Sequence, residues 1–217
     1  MYYNINALVL NTKTAAEADK HAVLYTAELG KISAIFPGAK KIKAKFAAAS
    51  EPVTQSRLMV YMARPNARPK VTAAKISNGF LTLRLNWKNF AAAQACSELL
   101  DALTPYDAQN GQKYELLLRA WTLLETAQNP WRIFSSFALR FLKLSGYNFV
   151  EFIKTGNLRM NNYEYNAICT MATKCGQDVD CLIDIDISLE NKILAYIDKY
   201  LEFHVSRRLS YRIFSNL

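Results

Sequence analysis

Between Lys31 and Lys88 the chain sets twelve lysines and arginines against one acid, Glu51. Such side chains neutralise phosphates. Ammonium and guanidinium groups make charge-assisted hydrogen bonds to phosphate oxygens without reading a base, and these contacts weaken with salt. The first 90 residues hold 14 basic and 4 acidic side chains, a net of +10. Residues 91–217 hold 13 and 14, a net of −1, so the whole formal charge of +9 comes from the N-terminal part. Charge carried only for solubility would be spread along the chain; this concentration implies a face for a polyanion, nucleic acid first. The densest stretch, Lys40, Lys41, Lys43 and Lys45, follows a turn at Gly38 and runs into Phe46. It therefore joins phosphate-binding cations to a ring that could stack on a base. Phe36 and Tyr61 are the other rings nearby, and both read as core.

The remaining chemistry-bearing residues make poorer patterns. Cys169, Cys175 and Cys181 have five residues between each, whereas a tetrahedral zinc site commonly uses CxxC pairs. Cys96 is far off in sequence, and His204, a possible fourth ligand, fits the buried side of its helix. The cysteines read as reduced thiols, with no cofactor. Asp178, Asp180, Asp184 and Asp186 could hold Mg²⁺ for a nuclease. Yet Asp184-Ile185-Asp186-Ile187 alternates like the wet face of an exposed strand, without EF-hand spacing. His21 and His204, the only histidines, lie in no nucleophile motif. Gly38 is too isolated for a phosphate-binding glycine loop, and no Walker sequence occurs. The expectation is a protein that is not an enzyme.

Elements must position the cations. With 51% hydrophobic residues and 12% aromatics the chain can bury a sizeable core. No run approaches the roughly 20 apolar residues that span a bilayer. The opening MYYNINALVL lacks the basic start and long apolar core of a signal peptide. Four cysteines are too few for a disulfide scaffold, so a cytoplasmic setting is expected. Strands are expected at Ile5–Leu10, Ala22–Thr26, Ile32–Phe36, Arg57–Ala63 and Val71–Ile76, with turns at Gly30-Lys31 and Pro37-Gly38. Five short strands so close together suit a small barrel.

After Asn89 the apolar spacing becomes helical. One stripe is Phe90, Ala93, Leu99, Leu100 and Leu103, ended by Pro105. A second is Tyr114, Leu117, Leu118, Trp121 and Leu124. A third helix starts at Asn129-Pro130, carries Ile133, Phe134, Phe137, Phe141 and Leu142, and stops at Gly146. A fourth, capped by Ser188, carries Leu189, Ile193, Ile197, Tyr200, Leu201 and His204. The fold class is α+β: a basic barrel over residues 1–82, then a helical bundle over 83–217. An irregular segment is expected near 155–187.

The residues also resemble the bacterial RecO family of recombination mediators. The stretch ALVLNTKTAAEADKHAVLYTAELGKISAIFPGAKKIKAK is similar to that family's opening, with Glu17 and Asp19 in the link, Thr26…Gly30-Lys31 at the turn, and Gly38-Ala39 before the basic residues. Pro52 and Ile76 match further positions. SELLDALTP, YELLLRAWTLLE, Arg140-Phe141-Leu142 with Leu144 and Gly146-Tyr147, and the tail with Leu201, His204, Leu209, Ser210 and Arg212 follow in family order.

The resemblance implies an N-terminal OB-fold barrel, a helical domain and no catalysis. It implies binding of single- and double-stranded DNA, annealing of complementary strands, and partnership with RecR. It also implies contact with the acidic C-terminal tail of single-stranded DNA-binding protein, and through these an indirect role with RecA. Carried onto this chain, it makes Lys13, Lys31, Lys40, Lys41, Lys43, Lys45, Arg64 and Lys70 the DNA face, with Phe46 beside them. Arg132, Arg140 and Lys143 become the rim of a pocket for a partner tail. The zinc module of many family members has no counterpart in the spacing of Cys169, Cys175 and Cys181. The rival expectation is an adaptor whose basic face docks an acidic partner tail, with nucleic acid secondary.

Overall fold

In the computed structural model, β1 (Tyr2–Thr14) is long enough to pair with two neighbours. A bulge between Val9 and Asn11 bends it, as an extra residue in one strand does. Its first half lies against β4 (Gln55–Tyr61) and its second against β2 (Lys20–Thr26), which pairs in turn with β3 (Gly30–Phe36). The last strand, β5 (Lys70–Asn78), runs antiparallel to β4 and meets β3 in parallel at Ile35↔Lys70. The order β1-β2-β3-β5-β4 closes into a barrel, the Greek-key arrangement of an OB-fold, with the β3–β5 seam held at the one pair Ile35↔Lys70. Ile5, Val9, Leu24, Ile32, Phe36, Phe46, Leu58, Val60 and Val71 fill its core. The structure describes residues 1–15, 17–41, 43–64, 67–157, 160–173, 186–205 and 209–210, with backbone alone at 156, 157 and 173.

The chain divides into two compact units, Met1–Thr82 with Thr104–Leu118, and Leu83–Leu103 with Arg119–Leu217. Residues 104–118 thus pack with the barrel although they lie beyond the expected sequence boundary at 82/83. The reason is a set of contacts no local pattern encodes. Lys31 Nζ donates to the Thr104 carbonyl at 2.8 Å and lies 4.6 Å from the Tyr106 ring centre. The Asp107 amide donates to the Lys31 carbonyl at 2.9 Å, and the Tyr25 hydroxyl to that of Asn110 at 3.2 Å. Burial pushes the Tyr25 phenol up to about 12.

Gly30 sits beneath this segment at φ +69°, where an added Cβ would lie 2.4 Å from the Ala108 carbonyl carbon. Gly30→Ala is expected to cost about 2 kcal/mol or more, from left-handed strain plus overpacking. A thermal melt should show a clear fall in Tm.

The other unit is helical. The short α1 (Leu81–Leu85) precedes α2 (Trp87–Leu103), and α3 (Gly111–Leu124) follows, its residues 111–118 grouped with the barrel and 119–124 with the helical unit. α4 (Pro130–Leu144) is the central helix, packed on α2, α6 (Asn162–Thr173) and α7 (Ile187–His204). Between them lie α5 (Phe149–Phe152) and a wide helical turn at Ile153–Asn157. Buried Asn89 donates to the carbonyls of Leu124 and Ala127 at 2.8 and 3.1 Å, supplying partners that the C-terminal end of α3 lacks. Gly146, at φ +81°, ends α4 as expected. The Tyr147 amide bonds the Leu142 carbonyl and the Gly146 amide that of Lys143, a Schellman motif.

Three expectations for this unit are corrected. The stretch 155–187 is not irregular throughout, since Asn161 and Glu164 form reciprocal capping bonds that start α6. Asp186, not Ser188, caps α7, accepting from the Leu189 amide at 2.7 Å. That removes Asp186-Ile187 from any exposed strand, while Asp178, Asp180, Asp184, Cys175 and Cys181 lie outside the described residues. His204 is exposed rather than buried, its ring beside Tyr147 and Tyr200 at 5.0 and 4.5 Å.

Candidate nucleic-acid interface

Directly paired residues of neighbouring strands point to the same side of a sheet. Following the pairs around the barrel gives Lys13↔His21, His21↔Ile35, Ile35↔Lys70, Lys70↔Tyr61 and Tyr61↔Tyr2. Lys13, Lys70, Tyr61 and Tyr2 are exposed, and His21 and Ile35 are half-buried. Since β1 supplies both ends, the row winds once around the barrel. Strand steps of about 4.8 Å make it roughly 24 Å long. It has a cationic half, Lys13 to Lys70, and an aromatic half, Tyr61 and Tyr2.

Loops add charge to the cationic half. Arg68, exposed in the β4–β5 loop, lies close enough to His21 to act on it electrostatically, as does Lys13. The Gly38 amide donates to Asp19 at 2.8 Å and the Lys40 amide to the Ala18 carbonyl at 3.0 Å. These bonds hold the lysine loop against the β1–β2 connection, beside the Lys13 end of the row. Lys40, Lys41, Lys43 and Lys45 are all exposed there, and Arg64 is exposed in the β4–β5 loop. Lys20 is tied instead to Glu51 at 2.5 Å.

His21 reports on this surface. Its ring nitrogen Nε2 contacts the Ser33 hydroxyl. Burial first, then Arg68 and Lys13, pull its pKa below the ordinary 6.5. The folded barrel therefore holds fewer protons here than the unfolded chain, and its stability falls as pH drops through 6.5. A bound phosphate reverses the electrostatic part: it offsets Lys13 and Arg68, raises the His21 pKa, and draws in a proton. Affinity for a polyanion is expected to rise as pH falls from 7 towards 6, by at most about one log unit per pH unit. His21→Gln should abolish that rise, which binding isotherms at several pH values would read.

Other expected site residues fall elsewhere. Phe46 is 8% exposed and packs edge-on to Phe36 at 6.4 Å inside the barrel, so it is not a stacking surface. Its place next to Lys45 concealed a core residue. Tyr61, read as core, is 37% exposed. Lys31 is 6% exposed and committed to Thr104 and Tyr106, which removes it from the face. Tyr2, His21 and Arg68 were missed. Only the two-residue period, run back to Tyr2 and across the paired strands, could have found them.

In the helical unit Arg132 pairs with Glu190, each side chain 11% exposed, so it joins α4 to α7 and is corrected as a rim cation. Arg140 is half-buried, its pKa lowered by burial and by Arg119. Lys143 is exposed and lines an open cavity of about 480 Å³ with Leu139, Tyr147, Phe149, Val150 and Cys169. Cys96 is fully buried, which pushes its thiol pKa up and disfavours a thiolate ligand. Among the described residues no three His, Cys, Asp or Glu side chains gather as a metal site, and no helix is long and apolar enough to cross a membrane.

Comparison with known proteins bears on both units. Residues 1–80 match the family model Recombination protein O N terminal, and residues 84–151 match Recombination protein O C terminal. The DNA repair protein RecO of Heliobacterium modesticaldum is 34% identical over 145 residues, 67% of this chain and 52% of that protein. That of Symbiobacterium thermophilum is 30% identical over 146 residues, covering 67% and 57%. That of Clostridium novyi is 25% identical over 183 residues, covering 80% and 70%. The matched part thus spans little more than half the length of the first two relatives.

Proposed function

This chain belongs to the RecO family, and on that premise we propose that it is a DNA-binding recombination mediator acting in DNA repair. The barrel binds single- and double-stranded DNA through the row and loops around Lys13, Arg68 and Lys70. What supports this is the pair of exposed lysines, Lys13 and Lys70, that bracket half-buried His21 and Ile35 on one side of β1, β2, β3 and β5, with exposed Arg68 acting on His21 between them. Cations on one barrel screen the repulsion between two strands while base edges stay free, which is what annealing needs. In this reading the chain works without catalysis or a bound metal. It works in the cytoplasm, at the nucleoid during repair, and with RecR it helps RecA replace single-stranded DNA-binding protein. Annealing of complementary labelled strands, followed by fluorescence quenching, tests it. The chain should accelerate annealing, and the acceleration should vanish at high salt; no acceleration at any salt would refute it.

A second reading keeps an acidic partner tail but seats it in the cavity at Lys143 of the helical unit, not on the basic face that the rival expectation named. An apolar pocket beside an exposed ammonium suits a peptide with acidic residues and a terminal aromatic ring. Of the three expected cations, Lys143 alone is among the residues lining this cavity, and Arg132 is paired with Glu190. A fluorescent acidic peptide ending in Phe should bind, and Lys143→Glu should abolish that binding.

A further inference from the structure

We propose that Tyr2 and Tyr61 form a base-stacking platform that makes the barrel prefer single strands to duplex. The inference rests on the nucleic-acid reading and names the determinant of specificity within that site. Tyr2 and Tyr61 are directly paired across β1 and β4, 64% and 37% exposed, with ring centres 5.0 Å apart at 48°. Each exposed ring is a flat π system on which a base can stack, and the tilt between the two rings makes them two separate stacking faces rather than one plane. Lys70, paired with Tyr61 on its other side, supplies a cation for the phosphate of a stacked nucleotide. Arg57 is exposed four residues back along β4, with half-buried Met59 between it and Tyr61. An apolar protein segment would cover the rings equally well. The flanking Lys70, Arg57 and Arg64, with no acid on β4 or in the described part of the β4–β5 loop, favour a polyanion.

The path to the platform selects the form of nucleic acid. From the cationic half the row continues past Lys70 around the curve of the barrel. A single strand can follow that curve and present an unpaired base to the rings. A duplex, with a persistence length of about 50 nm, cannot bend around so small a body, and its bases are already stacked. Duplex therefore meets the cations and misses the tyrosines.

The test compares wild type, the double variant Tyr2→Ala/Tyr61→Ala and the double variant Tyr2→Phe/Tyr61→Phe by anisotropy, on a labelled single strand and on the matching duplex, over the same series of salt concentrations. The alanine pair should weaken single-strand binding about ten-fold or more. Its duplex affinity and salt slope should be unchanged, and the phenylalanine pair should restore single-strand binding. A strand of abasic residues should bind wild type and the alanine pair alike, which checks stacking without relying on how a variant folds. Equal loss on single strand and duplex, or no loss, would overturn the platform while leaving the nucleic-acid reading standing. If wild type bound neither form, that reading would fail first and the platform with it.

Discussion

Replacing Lys13, Arg68 and Lys70 together by Ala is expected to cut affinity for single-stranded DNA about 100-fold near 50 mM salt. On the proposed function each would contribute a phosphate contact of about 1 kcal/mol or slightly less, and each contact adds roughly −0.7 to the log–log salt slope for single strands. The triple variant should therefore lose about two units of slope, and the two binding curves should converge at high salt. All three side chains are exposed on the barrel, so the melting temperature should hardly move. Replacing Lys40, Lys41, Lys43 and Lys45 by Ala should lower the slope further, because those ammonium groups lie on a separate loop beside the Lys13 end. A triple variant that kept both affinity and slope would put the DNA face elsewhere on the chain.

The second large effect is on stability. Lys31→Ala is expected to destabilise the barrel unit by about 2–3 kcal/mol, with a fall in Tm of several degrees. The change removes a buried ammonium that donates to the Thr104 carbonyl and sits over the Tyr106 ring. It leaves that carbonyl without its charged donor and strips one tie between β3 and residues 104–118. Relief from burying the charge offsets part of the loss, which keeps the figure below that for a fully buried ion pair. The salt slope of DNA binding should stay as in wild type. That combination separates a structural lysine from an interface lysine: an interface lysine would flatten the slope and leave Tm alone.

The contrast shows what local pattern can and cannot reveal. The five strands were legible because short runs of β-favouring residues are bounded by Gly30 and Pro37-Gly38, and their closure into an OB-fold is as expected. The main helices were legible from apolar spacing, and the stop at Gly146 from its freedom to adopt positive φ. Lys31 was not, since the carbonyl that claims it lies 73 residues away. Phe46 was misread for a related reason: its neighbours in sequence are lysines and alanines, while its neighbour in space is Phe36. Arg132 looked like a free cation until α7 brought Glu190 beside it. α6 was hidden because its start signal is an Asn-x-x-Glu box among tyrosines and asparagines rather than an apolar stripe.

The proposed binding row was illegible in a different sense. No segment contains it. Lys13, His21, Lys70, Tyr61 and Tyr2 become neighbours only through the register of five paired strands, and the bulge in β1 lets one strand supply both ends. Composition could say that the N-terminal part is basic, and did so correctly. Which cations share a surface, and which rings accompany them, depended on pairing.

The central claim is that this barrel binds nucleic acid through several exposed cations. The most direct test is the salt dependence of binding to a labelled single strand at neutral pH, followed by anisotropy. Three to five phosphate contacts predict a log–log slope of about −2 to −3.5. A slope near zero, or no binding at low salt, would contradict the account and leave the basic barrel to a protein partner.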